Sequence, residues 1–218
     1  MATITDYGTL KSEIQVWMAR TDTVIGNRVP VFVEAAEARL YNGAGEVGED
    51  LYSPPLRSSV METTATVTMT DGVGTMPTDA LAIRKLYRDG DRVGITYKPP
   101  EQFAVFSANN TAASDGIYYT IEAGEIKLSP PGAGNLLLSY YQSFAPITTT
   151  NTTGPLLSAH GGLYLAACLF EAFTFIQEGQ LAGAHLARLR SMIAGANRVT
   201  AGIRTSGPLR IRMRNPIP

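Results

Sequence analysis

A single cysteine, Cys168, stands in the chain, so an intrachain disulfide is excluded. It lies inside an apolar run and reads as a buried thiol, which fits folding in a reducing cytoplasm. Histidine is almost as scarce. His160 and His185 fall on separate predicted helices, with no partner three or four residues away and no nearby cysteine pair. Metal-ligand spacing is therefore missing, and no metal site is expected. G-x-S-x-G, a P-loop and H-E-x-x-H do not occur either. Catalysis thus lacks positive support, and neither a catalytic residue nor a cofactor is expected. The N-terminal MATITDYGTL has no apolar h-region, so no signal peptide is expected.

The most telling absence is charge of one sign. After Glu178 there is no acidic residue, but there are seven arginines: Arg188, Arg190, Arg198, Arg204, Arg210, Arg212 and Arg214. Residues 1–178 hold 11 basic against 19 acidic residues, a balance of −8, while the last 40 residues carry +7, although the whole chain sums to −1. Such a split points to an acidic partner for the C-terminal part. Nucleic acid, an acidic protein face and a neighbouring copy all fit, as does a solvated basic tail.

What the chain does have is apolar material, 44% of its 218 residues, enough for one or two packed domains. Residues 5–20 read as a helix capped by Thr5 or Asp6, with Leu10, Ile14 and Trp17 on one face. TDTVIGNR is expected to be a loop, and Pro30 to open a second helix that Asn42-Gly43 ends. From 57 to 145 the period changes to two. VMETTATVTMT, ALAIRKLYR, RVGITYK, GIYYTIEA, GEIKLS and GNLLLSYYQS alternate between turn sequences and predict six short strands, with PPEQFAVFS a helical turn. After the polar linker PITTTNTTGP, a third helix runs over 156–177; Gly179 breaks it and a fourth covers 180–203.

The expected fold is therefore α+β: about four helices from both termini form a bundle, with an antiparallel sandwich or barrel inserted. The expected boundaries are 1–56 with 146–204 for the helical domain, 57–145 for the β domain and 205–218 for an extended tail.

Several stretches imitate chemistry. GAGEVG, residues 43–48, matches G-x-G-x-x-G, but a helix precedes it where a dinucleotide site needs a strand, and Glu46, Glu49 and Asp50 would repel phosphate. Glu171 and Glu178 stand seven apart, but their simplest reading is one interhelical ion pair and one solvated or capping charge. The tyrosines at 87, 97, 118, 119, 140 and 141 lack the interleaved basic residues of a single-strand stacking platform and read as sheet packing. LLSAHGGLYLAACLFEAFTFI has nearly membrane-spanning length, yet it contains Glu171 and lacks matched basic and aromatic flanks, so no membrane is expected. Its burial instead calls for a neighbouring subunit. Tyr164, Cys168 and Phe173, with Leu189 and Ile193 on the next helix, are the expected subunit-packing residues.

DYGTLKSEIQVWMAR with VPVFVEAAEARL, residues 6–20 and 29–40, forms one end of a layout whose other end is GPLLSAHGGLYLAACLFEAFTFIQEGQLAGAHLARLRSMI, residues 154–193. Together with LLLSYYQSFAPI between them, these stretches resemble the head-to-tail adaptor (connector) proteins of tailed bacteriophages. The resemblance implies a homo-oligomeric ring of such helical bundles, typically a dodecamer, seated beneath the portal. It implies a DNA channel through which duplex DNA passes without sequence readout. A tail or nozzle protein would bind the opposite face. It places the protein in the virion at the head-tail junction, assembled in the host cytoplasm, and implies neither catalysis nor cofactor.

The C-terminal PLRIRMRNPIP alternates Leu209, Ile211 and Met213 with Arg210, Arg212 and Arg214. As an extended strand it would present apolar groups on one side and charges on the other. The resemblance makes the portal its partner, with the arginines facing acidic groups there. The alternative is a nucleic-acid-binding module working through this arginine-rich tail.

Overall fold

In a computed structural model the described residues are 3–46, 48–90, 94–108 and 116–205, the side chains of 204 and 205 excepted. The fold is α+β and divides into two compact units. One comprises the residues up to Thr9 and Val60–Gly161; the other comprises Leu10–Ser59 and the chain from Gly162.

The first unit holds the strands: β1 (Glu62–Met69), β2 (Val73–Thr75), β3 (Ala80–Arg88), β4 (Thr96–Tyr97), β5 (Tyr118–Glu122), β6 (Glu125–Ser129) and β7 (Gly134–Gln142). They form a three-stranded sheet, β1-β7-β3, and a four-stranded sheet, β2-β6-β5-β4. The period-2 pattern explains the shared core. Val67 and Met69 from β1, Leu86 from β3, and Leu136, Leu138 and Tyr140 from β7 pack with Tyr119, Ile126 and Leu128 of the other sheet. β2 is an addition to the six expected strands. Asp71 and Gly72, at φ 50° and 79°, turn the chain directly out of β1, and Thr70 and Val73 exchange both hydrogen bonds at 2.9 Å. At three residues, β2 is too short for alternation to register. β4–β5 is a parallel pair, so the second sheet is mixed rather than wholly antiparallel. PPEQFAVFS forms a full helix, α3 (Pro100–Ser107), rather than a single turn.

The helices of the second unit are α2 (Thr23–Asn42), α5 (Gly179–Thr205) and the larger parts of α1 (Tyr7–Trp17) and α4 (Pro155–Phe175). Asp6, not Thr5, caps α1: its Oδ1 accepts from the Thr9 backbone N–H at 2.9 Å, which holds the Asp6 carboxyl below its ordinary range. The first turn of α1 belongs with the strands, where the Tyr7 N–H donates to the Thr152 carbonyl at 2.7 Å. α4 also starts there and kinks at His160 (φ −133°, ψ 39°). Gly161 follows the kink because the Ile4 backbone lies where a Cβ would stand.

Two helix boundaries differ from expectation. TDTVIGNR is helical from Thr23 onward, and Pro30 lies inside α2. Asp22 is the N-cap, its carboxylate accepting from the Ile25 N–H at 3.0 Å. Ile25 and Val29 extend the buried row of Phe32, Val33, Ala36 and Leu40 back across the proline. That burial offsets the ~3 kcal/mol an interior proline costs. Between α4 and α5 the break is made by Gln177 (φ 62°) and not by Gly179, which is already the first residue of α5. The Glu178 N–H reaches the Phe173 carbonyl and the Gln177 N–H the Thr174 carbonyl, a Schellman closure.

α4 is the centre of this unit. α2 meets it at Tyr164, Glu171 and Phe175; α5 meets it at Gly162 and Phe173. At about 100° per residue, the first three positions lie within about 40° of one another, and the last two lie about 180° away. α2 and α5 therefore pack on opposite faces of α4, and their outer faces point in opposite directions.

Candidate interaction surfaces

The helical unit absorbs most of the groups that looked available for chemistry. Tyr164, Cys168, Phe173, Leu189 and Ile193, expected at a subunit interface, are all buried within the chain itself. α4 is long and apolar enough to cross a membrane, and most of it is buried within the chain, where α2 and α5 pack on it. Burial pushes the Cys168 thiol well above its ordinary pKa, and the nearby carboxylates Glu37 and Glu171 push it further, so the group is an inert thiol. Burial likewise raises the Tyr164 phenol, whose O–H donates to the buried Glu37 at 3.1 Å.

Glu171 pairs with Arg39 across the α2–α4 contact at 3.1 Å. Glu178 is exposed, and its carbonyl accepts the Ala182 N–H at the start of α5. The tyrosines of the strands pack as the sequence implies: Tyr119 against Tyr97, Tyr118 against Phe106, and the Tyr140 O–H onto Asp79 at 3.1 Å. GAGEVG leaves α2 as a loop. The N–H of Gly43 closes on the Arg39 carbonyl at 2.9 Å, and Ala44 bridges to Ser53. No strand or helix N-terminus is present there to hold a phosphate, Val47 lying outside the described residues.

Each histidine has a structural setting. His160 sits at the α4 kink, and burial lowers its pKa. His185 is stacked on Phe173 at 5.2 Å and edge-on to Trp17 at 5.9 Å; burial lowers its pKa, and Arg188 lowers it further. Among the described residues no group of three His, Cys, Asp or Glu side chains converges to hold a metal. A folded-state pKa below the unfolded value means that the unfolded chain binds more protons. The stability these histidines contribute is then present above about pH 6.5 and is lost as pH falls through the folded pKa. Melting temperature is expected to drop between about pH 7.5 and about pH 5.5. His185→Gln should flatten that slope. Identical slopes for the two proteins would remove His185 as a source.

The arginines of α5 are partly consumed by the fold. Arg190 donates to the carbonyls of Asp50 and Tyr52, tying down the loop after α2. Arg188 lies over the Trp17 ring at 5.2 Å. Neither belongs to a free row of phosphate contacts, which weakens a nucleic-acid reading of this helix. Arg198 is exposed. Leu209, Arg210, Ile211, Arg212, Met213 and Arg214, the expected portal-docking residues, lie outside the described residues.

What remains for function is outer surface. Val24 on α2 is 61% exposed and Val31 50%; Val199 on α5 is 64% exposed. A separate groove of about 370 Å³ is lined by Leu51, Phe170, Ala182, Leu186 and Arg190. The chain is thus a helical unit centred on a buried helix with an inserted β unit, and it exposes apolar side chains on α2 and α5. The sequence pattern of the family described as SU10 adaptor protein matches residues 5–212, and the chain belongs to that family. No individually curated protein matches it.

Proposed function

We propose that this adaptor forms a ring, a dodecamer, beneath the portal of a phage particle. The ring extends the DNA channel, lets the duplex pass without reading its sequence, and offers its far face to a tail or nozzle protein. The observation that carries the reading is the family match over residues 5–212. Two further features support it. The outer faces of α2 and α5 are two different surfaces of one unit, and a head-to-tail contact uses two different surfaces. The charge split leaves residues 1–178 at −8, so a channel lined by the body would repel DNA and let it slide. The C-terminal tail, expected over 205–218, docks on the portal through Leu209, Arg210, Ile211, Arg212, Met213 and Arg214. The chain assembles in the host cytoplasm and ends in the virion, with no membrane step.

Electron microscopy of the purified chain, alone and with its portal, tests the proposal. The expected result is a closed ring coaxial with the portal. A chain that stays monomeric and never binds portal would overturn it.

A further inference from the structure

The outer face of α2 carries Val24, Asn27, Val31, Glu34 and Ala38, all exposed and spaced alternately three and four residues apart. The outer face of α5 carries Ala184, Ala187, Ser191, Ala194 and Arg198, also exposed and also spaced three and four apart, with Val199 beside the last. This is the spacing of a seam that packs against another helix, and no described segment of this unit covers either row. The rows are complementary. The α2 row presents two valines, an asparagine, an alanine and one acid. The α5 row presents small side chains, over which a facing helix can come close, and one base. Neither Glu34 nor Arg198 makes an ion pair or hydrogen bond with another described residue.

We infer that the α2 outer face of one copy packs on the α5 outer face of the next, with Glu34 and Arg198 as its charge pair. The inference rests on the ring reading and names the surfaces that build it. A second copy is the occupant because the two faces are opposite in charge and lie on opposite sides of one unit. A contact that joins unlike faces uses both at once, and it closes into a ring when its rotation divides a full turn. Duplex DNA is a poorer fit to the α5 face. The row leading to Arg198 is alanine and serine with Val199 alongside, whereas phosphates call for a run of cations.

A charge swap tests this with the full chain, using portal as the assembly template. Glu34→Arg and Arg198→Glu are each expected to put like charges together at every interface. Each should weaken assembly about tenfold or more, read by light scattering across a concentration series. The double variant restores opposite charges and should assemble like wild type. Both positions are exposed, so the monomers should melt alike, which separates misfolding from lost contact. Single variants that assemble normally, or a double variant no better than the singles, overturn the face assignment and leave the ring standing. An Arg198→Glu effect confined to DNA affinity does the same. Wild-type chain that fails to assemble with portal overturns the ring and the face assignment together.

Discussion

Replacing Arg39 by methionine is expected to lower the stability of the helical unit by about 3 kcal/mol, and adding Glu171→Leu to recover most of that loss. Arg39 Nε stands 3.1 Å from Glu171 Oε1, and the two side chains are only 15% and 19% exposed. A solvated pair would be worth at most about 1 kcal/mol. This one is mostly withdrawn from water, and the guanidinium also lies 4.4 Å over the Phe170 ring. α4 contains no lysine or arginine to pair with Glu171. Glu37 is buried on the same side, where the Tyr164 O–H is among its donors. Methionine at 39 keeps the packing against Phe170 but leaves Glu171 without its cation in a site already holding a second carboxylate, and that stranded charge is the source of the cost. Removing both charges removes the penalty. Urea unfolding can be followed through Trp17, the single tryptophan, which lies in the same unit. A loss below about 1 kcal/mol for Arg39→Met would show that the pair behaves as a surface pair.

The same contacts show why some of the fold is legible in the sequence and some is not. Alternation in VMETTATVTMT and GNLLLSYYQS marks β1 and β7 because half of each strand meets a core. The α4 stretch is apolar almost all round, and that too is legible: it is covered on opposite sides by α2 and α5. Length and composition do not say how many helices of the same chain surround it, and the residues expected at a subunit contact are buried within the chain. Pro30 misled for a local reason. Proline is favoured at a helix start, but here the Asp22 cap and the buried Ile25 and Val29 carry the helix through it. Gln177 is invisible as a helix stop, since a non-glycine left-handed residue depends on the Schellman bonds around it.

The candidate surface was the least legible part. Periodicity draws the eye to Leu186, Leu189 and Ile193, the inward row of α5. The outward row is alanine, serine and one arginine, which reads as spacer until burial separates the two faces. Likewise, the arginines at 188 and 190 look like part of one basic run with Arg198. Their partners, the Trp17 ring and the carbonyls of the loop after α2, come from residues more than a hundred positions away and show only in three dimensions.

Deleting residues 207–218 is expected to abolish attachment to the portal while leaving the fold and the ring intact. Three of the seven arginines that make the last 40 residues basic lie in this segment, at 210, 212 and 214. Leu209, Ile211 and Met213 alternate with them, so an extended chain separates charge from apolar surface. Added to an exposed sheet edge or laid in a groove, such a segment gains affinity from backbone hydrogen bonds and register from its apolar side chains. In such a strand Pro208 and Pro216 would bound the pairing stretch, because neither can donate to a ladder. The two sides of the strand can be tested separately. Glutamate at 210, 212 and 214 should weaken attachment most at low salt, where charge attraction is least screened. Aspartate at 209, 211 and 213 should abolish it at any salt, because it removes the buried side of the strand. The portal-binding assay is cosedimentation of assembled rings with portal, with melting temperature as the control for folding. Attachment that survives the deletion would make the segment a solvated basic tail and move the portal contact onto the folded body.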